Sequence, residues 1–125
     1  MGPKRVVILE DIASMRDILV EVVEAEGHQV AYAGAEPGCV ERVLADPPDL
    51  LFLDLSLKAR LGVDVYAVLR ADPRTQDLPV IICTVQRSQT VARKLHAPED
   101  ARLRTLYQPF AIADAQSMMR ALLAA

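Results

Sequence analysis

Tryptophan is absent from this chain, and phenylalanine and tyrosine contribute only 4% of its residues. Aromatic rings therefore cannot fill an interior, and the core falls to the Ala, Leu and Val that dominate an apolar share of 52%. Cysteine is nearly absent as well. Cys39 and Cys83 lie too far apart for a C-x-x-C metal or redox motif, and Cys83 sits within an apolar run. A disulfide framework is excluded, and two reduced thiols suit a cytoplasm. No stretch approaches the roughly 18 apolar residues of a spanning helix, and an apolar strand follows directly on Met1-Gly2-Pro3-Lys4-Arg5. We therefore expect a soluble, unexported, cytoplasmic chain with no membrane partner. Excess positive charge is missing too. A net charge of −3 argues against a protein held to nucleic acid by bulk electrostatics. Repeats, linkers and low-complexity tracts are lacking. With 125 residues there is room for one three-layer α/β core and none for a second, so a single domain over residues 1–125 is expected.

What is present is an alternation of strand and helix patterns. The unbroken run Leu51-Phe52-Leu53 ends on Asp54, and a short apolar stretch of this kind suits a parallel strand covered on both faces. The first strand, Arg5 to Leu9, closes on Glu10 and Asp11. A helix follows with Met15, Ile18, Leu19, Val22 and Val23 on one stripe, and Gly27 is placed to end it. A second strand, about Gln29 to Ala33, leads to a helix with Pro37 in its first turn, burying Val40, Val43 and Leu44 and stopping before Pro47-Pro48. Gly62 opens a third helix with Val65, Val68 and Leu69 inward, and Val80 to Thr84 forms the fourth strand. Ser88 caps a predicted helix through Leu95. The alternating stretch Arg102 to Tyr107 reads as an edge strand, and a last helix carries Ile112, Ala115, Met119, Leu122 and Leu123. Five such repeats of strand and helix argue an α/β, doubly wound, five-stranded parallel sheet with helices on both faces.

A sheet ordered 2-1-3-4-5 makes the first and third strands neighbours at the switch point, where ligands bind beyond the carboxyl ends of strands. Glu10, Asp11 and Asp54 then meet. Like charges about 5 Å apart repel by roughly 3 kcal/mol at an effective dielectric of about 20, so the cluster needs a counter-ion. All-oxygen ligands favour Mg²⁺, with one carboxylate left to attack phosphorus. Taken singly, Asp11 or Asp54 reads equally well as a helix cap, while a solvated Glu10 and a capping Thr84 are the lesser readings of those residues.

The residues at the strand ends resemble the receiver domain of two-component response regulators, the chemotaxis-type phosphoacceptor module with a flavodoxin-like fold. The resemblance rests on Glu10-Asp11, Asp54, Gly62 eight residues later, Thr84, and Pro109-Phe110 after the fifth strand. It implies that Asp54 accepts a phosphoryl group from a histidine kinase or phosphotransfer protein. It further implies Mg²⁺ held by Glu10, Asp11, Asp54 and the Ser56 backbone carbonyl, with the Thr84 hydroxyl on the phosphoryl oxygens. Such a module is not an enzyme beyond self-catalysed phosphoryl transfer to and hydrolysis from Asp54. It signals by altered binding to a downstream protein, as a monomer or a phosphorylation-dependent dimer, and either stands alone or belongs to a longer chain.

The family's usual Lys is replaced by Gln108, which offers amide donors without charge. Lys58 is a candidate substitute. Val85 is bulkier than the small residue usual after Thr84, and Thr105 stands where an aromatic switch residue is common. Tyr107 should point to the face opposite Gln108. These departures favour an alternative, a degenerate receiver acting as a phosphorylation-independent interaction module. A haloacid-dehalogenase-like phosphatase is a third reading, but Ser56 occupies the position of its second Asp. Flavin binding is disfavoured separately, because the loop after the first strand lacks a run of Ser, Thr and Gly to cradle phosphate. Arg87, Arg93, Lys94, Arg102 and Arg104 form either a solvated face or a docking patch on the fourth helix and fifth strand. His28 and His96 have no ligand-spaced partners, and Met118 and Met119 read as packing residues.

Overall fold

The computed structural model describes residues 2–57, 62–85 and 100–124. The helix expected from Ser88 through Leu95 lies outside these residues, as do Lys58, Arg87, Arg93, Lys94 and His96. Within them the order is β1 (Arg5–Leu9), α1 (Ala13–Ala25), β2 (Gln29–Gly34), α2 (Cys39–Ala45), β3 (Leu50–Asp54), α3 (Gly62–Ala71), β4 (Val80–Thr84), β5 (Leu103–Tyr107) and α4 (Ile112–Ala124). The five strands pair in parallel in the order β2-β1-β3-β4-β5, as expected. Among the described residues, no helix is long and apolar enough to cross a membrane.

Side-chain alternation along the strands divides the core in two. Val7, Leu9, Leu51, Leu53, Val80 and Ile82 point to the face covered by α2 and α3, where Val40, Val43, Val65 and Leu69 meet them. Val6, Ile8, Leu50, Phe52, Ile81 and Cys83 point to the other face, against Leu19, Val22 and Val23 of α1 and Ala115, Met119 and Leu122 of α4. All five residues of β3 and all five of β4 are buried. That is why both strands read as unbroken apolar runs. Burying one such Leu or Ile contributes about 1.5–3 kcal/mol, so these two strands form the fixed platform for whatever stands at their ends.

Several elements differ from the sequence reading. Pro37 precedes α2 instead of opening it. Gly38 takes a left-handed backbone (φ +88°) at the cap, a conformation that favours glycine, and the helix starts at Cys39. Ile18 and Ile112, assigned to buried stripes, are 37% and 48% exposed, while Leu19 and Ala115 of the same stripes are buried. Tyr66 is buried on α3 although it was not among the expected core residues. Its hydroxyl donates to Asp100, whose Oδ2 also accepts from Arg70 Nε at 2.8 Å. Arg70 further reaches the carbonyls of Thr75 (3.3 Å) and Arg102 (3.4 Å), binding α3 to the segment that enters β5.

Candidate functional site

Parallel register brings the carboxyl ends of the central strands level. Leu9 pairs with Leu53, and Asp54 with Cys83, so Glu10, Asp11, Asp54 and Thr84 stand along one edge of the sheet. Glu10 continues the line of β1, its amide donating to the Gly34 carbonyl at 3.1 Å. Its side chain is 1% exposed and that of Asp54 6%. One carboxylate oxygen from each of Glu10, Asp11 and Asp54 lies within 4.8 Å of the other two. The expected cluster is therefore assembled.

Glu10 is buried and not the solvated acid of the alternative reading. The cap position of α1 belongs to Ile12, which makes no side-chain cap hydrogen bond. The Ile12 amide donates instead to Glu10 Oε2 at 3.3 Å. Asp54 Oδ1 accepts from the Ser56 amide at 2.8 Å in a local turn, and Ser56 lies six residues before the next helix begins at Gly62. Burial first, and then a hydrogen bond with Asp54 and the charges of Asp54 and Asp11, push the Glu10 carboxyl up to about 8. The protonated form of the Glu10 carboxyl is thus favoured beside Asp54 when no cation is bound. A pocket that must hold a proton to limit its own repulsion is one that a small, hard, oxygen-seeking cation fits, and the three carboxylates supply the donors for it.

Gly62 explains how the turn after Asp54 stays compact. A Cβ at this position would collide with the Asp54 carbonyl and come within 2.6 Å of the Leu55 Cα, so only glycine lets α3 start against the end of β3. The Gly62 amide donates to the Leu55 carbonyl at 3.2 Å. On the other side of Asp54, Thr84 is 2% exposed, and its carbonyl accepts from the Gln108 amide at 2.8 Å. Gln108 is half-buried at the end of β5, joined to Pro109 by a cis peptide bond. Tyr107 is 40% exposed while Leu106 is buried, the alternation expected of an edge strand. Thr105 is half-buried. Burial, followed by the charges of Glu10 and Asp54, pushes the Cys83 thiol up, so it is an inert core group beneath the pocket.

Two features beside the pocket went unnoticed in the sequence. Arg16, in the first turn of α1, sends Nη1 to within 3.5 Å of the Glu10 carbonyl. Met15, Ile18, Val85, Gln108, Pro109, Phe110 and Ile112 line an apolar groove of about 490 Å³ next to it. The signal for Arg16 was its place one turn beyond the acids. The groove had none, because Ile18 and Ile112 fit core stripes equally well.

The model of the response regulator receiver domain matches residues 6–120. The chain belongs to this family. It is 34% identical over 83 residues to the DNA-binding response regulator MtrA of Mycobacterium tuberculosis, a match covering 66% of this chain and 35% of that protein. With Protein Rrf1 of Nitratidesulfovibrio vulgaris it shares 30% identity over 82 residues, 66% of this chain and 59% of the relative. The matched region thus spans about a third of MtrA and under two thirds of Rrf1. A putative response regulator from Chloroflexus aurantiacus has the same fold with a TM-score of 0.87, 21% identity, and coverage of 99% of this chain and 100% of that one. So does the receiver domain of a sensor histidine kinase from Pseudomonas aeruginosa, solved with a magnesium ion coordinated in its active site cleft: TM-score 0.85, 16% identity, coverage 99% and 100%. This receiver domain therefore carries the family's fold, with the strand-end acids already described.

Proposed function

We propose that this receiver domain, spanning residues 1–125 in the cytoplasm, takes a phosphoryl group onto Asp54 from a histidine kinase or phosphotransfer protein. The observation that carries this reading is the cluster of Glu10, Asp11 and Asp54, whose ligand atoms lie within 4.8 Å of one another at the edge where β1 and β3 are neighbours. Glu10, Asp11, Asp54 and the Ser56 backbone carbonyl would hold Mg²⁺, which when bound supplies positive charge beside the transferring phosphoryl group.

The chain's own residues do the rest. An Asp54 carboxylate oxygen attacks phosphorus, an O–P bond forms, and the bond from phosphorus to the donor's imidazole nitrogen breaks, its electron pair leaving with the imidazole. The Ser56 amide, donating to Asp54 Oδ1 at 2.8 Å, helps hold the carboxylate in place. Thr84 donates its hydroxyl to a phosphoryl oxygen, and Gln108 offers amide hydrogens without a charge. The added charge engages the Thr84 hydroxyl and shifts an equilibrium on the face that includes Arg102 and Arg104, which then binds a downstream protein. No turnover is involved beyond transfer to Asp54 and its later hydrolysis.

A second reading is a phosphorylation-independent interaction module, favoured by Gln108, Thr105 and the 73% exposed Val85. Intact mass separates the two. Incubation with Mg²⁺ and acetyl phosphate should add one phosphoryl mass to the chain and none to Asp54→Asn or a metal-free sample. No gain, repeated with a phosphorylated phosphotransfer protein, would overturn the phosphoacceptor reading in favour of the module.

A further inference from the structure

The pocket's cation supply differs from what its chemistry calls for. Phosphoryl transfer brings roughly 1.5 to 2 negative charges to a site that already holds three carboxylates, and Gln108 at the end of β5 adds none. Side chains on a helix lean toward its N-terminus, and the N-terminus of α1 stands at the acidic edge. Arg16, half-buried in the first turn, follows that lean. Its backbone is fixed by an amide hydrogen bond to the Ile12 carbonyl at 2.9 Å, while among the described residues its guanidinium makes one long contact, Nη1 to the Glu10 carbonyl at 3.5 Å. The described ion pairs of the chain, Arg5–Asp46, Arg70–Asp100, Arg74–Asp72 and Arg120–Glu26, engage other arginines elsewhere. A contact at the limit of hydrogen-bond length is released at little cost, and a guanidinium fork is suited to two phosphoryl oxygens.

We infer that Arg16 is the arginine that neutralises the transferring phosphoryl group here, doing from α1 what Gln108 cannot do from β5. The inference rests on the phosphoacceptor reading of Asp54. As the Asp54 oxygen bonds to phosphorus and the donor's bond breaks, the guanidinium swings from the Glu10 carbonyl onto the phosphoryl oxygens. It donates hydrogen bonds and transfers no proton. With acetyl phosphate as donor, the electron pair leaves on acetate.

The test measures the rate of phosphorylation by acetyl phosphate at saturating Mg²⁺ in the full chain, followed by intact mass. The proteins are wild type, Arg16→Gln, Gln108→Lys, the double variant, and Lys58→Gln alone and with Gln108→Lys. Arg16→Gln should slow the reaction about tenfold, the worth of one charge-assisted pair. Its Tm should hold, and its Mg²⁺ affinity, read by calorimetry, should hold or rise, because a neighbouring positive charge has been removed. In the Gln108→Lys background the same change should have much less effect. An unchanged rate in Arg16→Gln, equal slowing in both backgrounds, or slowing accompanied by loss of Mg²⁺ affinity overturns the inference. So does the finding that Lys58→Gln, and not Arg16→Gln, is rescued by Gln108→Lys. In those cases the wild type is still phosphorylated and the reading of Asp54 stands. A wild type that takes up no phosphoryl group from acetyl phosphate or from a phosphorylated phosphotransfer protein overturns both.

Discussion

Glu10 and Asp100 are both carboxylates withdrawn from water, and they titrate in opposite directions. Asp100 sits at the entry to β5 with the Tyr66 hydroxyl and Arg70 Nε on one oxygen and the Arg102 amide on the other at 2.9 Å. Burial works to raise its carboxyl, but the hydrogen bonds from Tyr66, Arg70 and Arg102 and the charge of Arg70 outweigh it and hold Asp100 below the usual range. At Glu10 burial goes uncompensated and two more acids add to it, pushing the carboxyl up to about 8. The difference lies in what the fold supplies. At Asp100 every strong donor comes from the chain, and the cluster is closed. At Glu10 the described neighbours are two further acids, so the balance comes from a proton, from a bound cation or, as we infer for the transferring phosphoryl group, from a swinging Arg16. A closed polar cluster holds elements together, whereas an open one is where chemistry can enter.

The sharpest way to break this comparison is to remove the closed cluster's acceptor. Asp100→Ala leaves the Tyr66 hydroxyl and the Arg70 guanidinium without their carboxylate. Both partners of this ion pair are under a fifth exposed, so the loss should be about 3 kcal/mol, or roughly 10 °C in Tm for a chain of this size. Denaturant titration measures it, and phosphorylation by acetyl phosphate should remain at the wild-type rate. A loss of phosphorylation in a still-folded Asp100→Ala would show that the two clusters are one, and the contrast would fall.

The open cluster has its own signature in pH. Glu10 binds its proton more tightly folded than unfolded, with a carboxyl at about 8 against an ordinary 4.5. The stabilisation this gives is complete below about 4.5 and is lost as pH rises through 8. In EDTA, Tm should therefore fall between about pH 5 and about pH 9. Glu10→Gln should flatten that slope, because an amide keeps its hydrogen-bond donor at every pH. Saturating Mg²⁺ should oppose the slope, since a cation competes with the proton for the same oxygens. A metal-free Tm that rises over this window would mean that Glu10 is ionised and otherwise balanced.

These contrasts also mark how far the residues alone could be read. β3 and β4 were plain as apolar runs because both their faces are covered, and the strand-order rule then brought Glu10 and Asp11 to Asp54 without any knowledge of side-chain geometry. Gly62 was recognisable by its spacing from Asp54, although the close approach that demands glycine shows only in three dimensions. The start of α2 was misplaced because Pro37 is a good first-turn residue in isolation, and nothing local announces that Gly38 turns left-handed. Ile18 and Ile112 were assigned to the core because an apolar stripe has no sharp edge, and the partner that decides which side of it is covered lies on another element. The closed cluster was invisible for a related reason. Tyr66 and Asp100 are 34 residues apart, and neither has a local pattern that asks for the other.

The finest test separates the hydroxyl of Tyr66 from its ring. Burial, then the hydrogen bond with Asp100, push the phenol up to about 12, with Arg70 working against them. The ring carries a second role: Arg70 lies over its face, 5.0 Å from the centroid. Tyr66→Phe keeps the ring and that contact, and it leaves Asp100 with Arg70 Nε and the Arg102 amide. Only one donor is lost, and the acceptor is a carboxylate that still has partners, so the cost should be about 1 kcal/mol, well short of that of Asp100→Ala. Combined in one chain, the two changes should be strongly non-additive, because the hydroxyl has nothing to donate to once Asp100 is gone. Additive losses would mean that Tyr66 and Asp100 stabilise the fold independently. The cluster would then be merely three residues that happen to touch, and its closure could not account for the low carboxyl of Asp100.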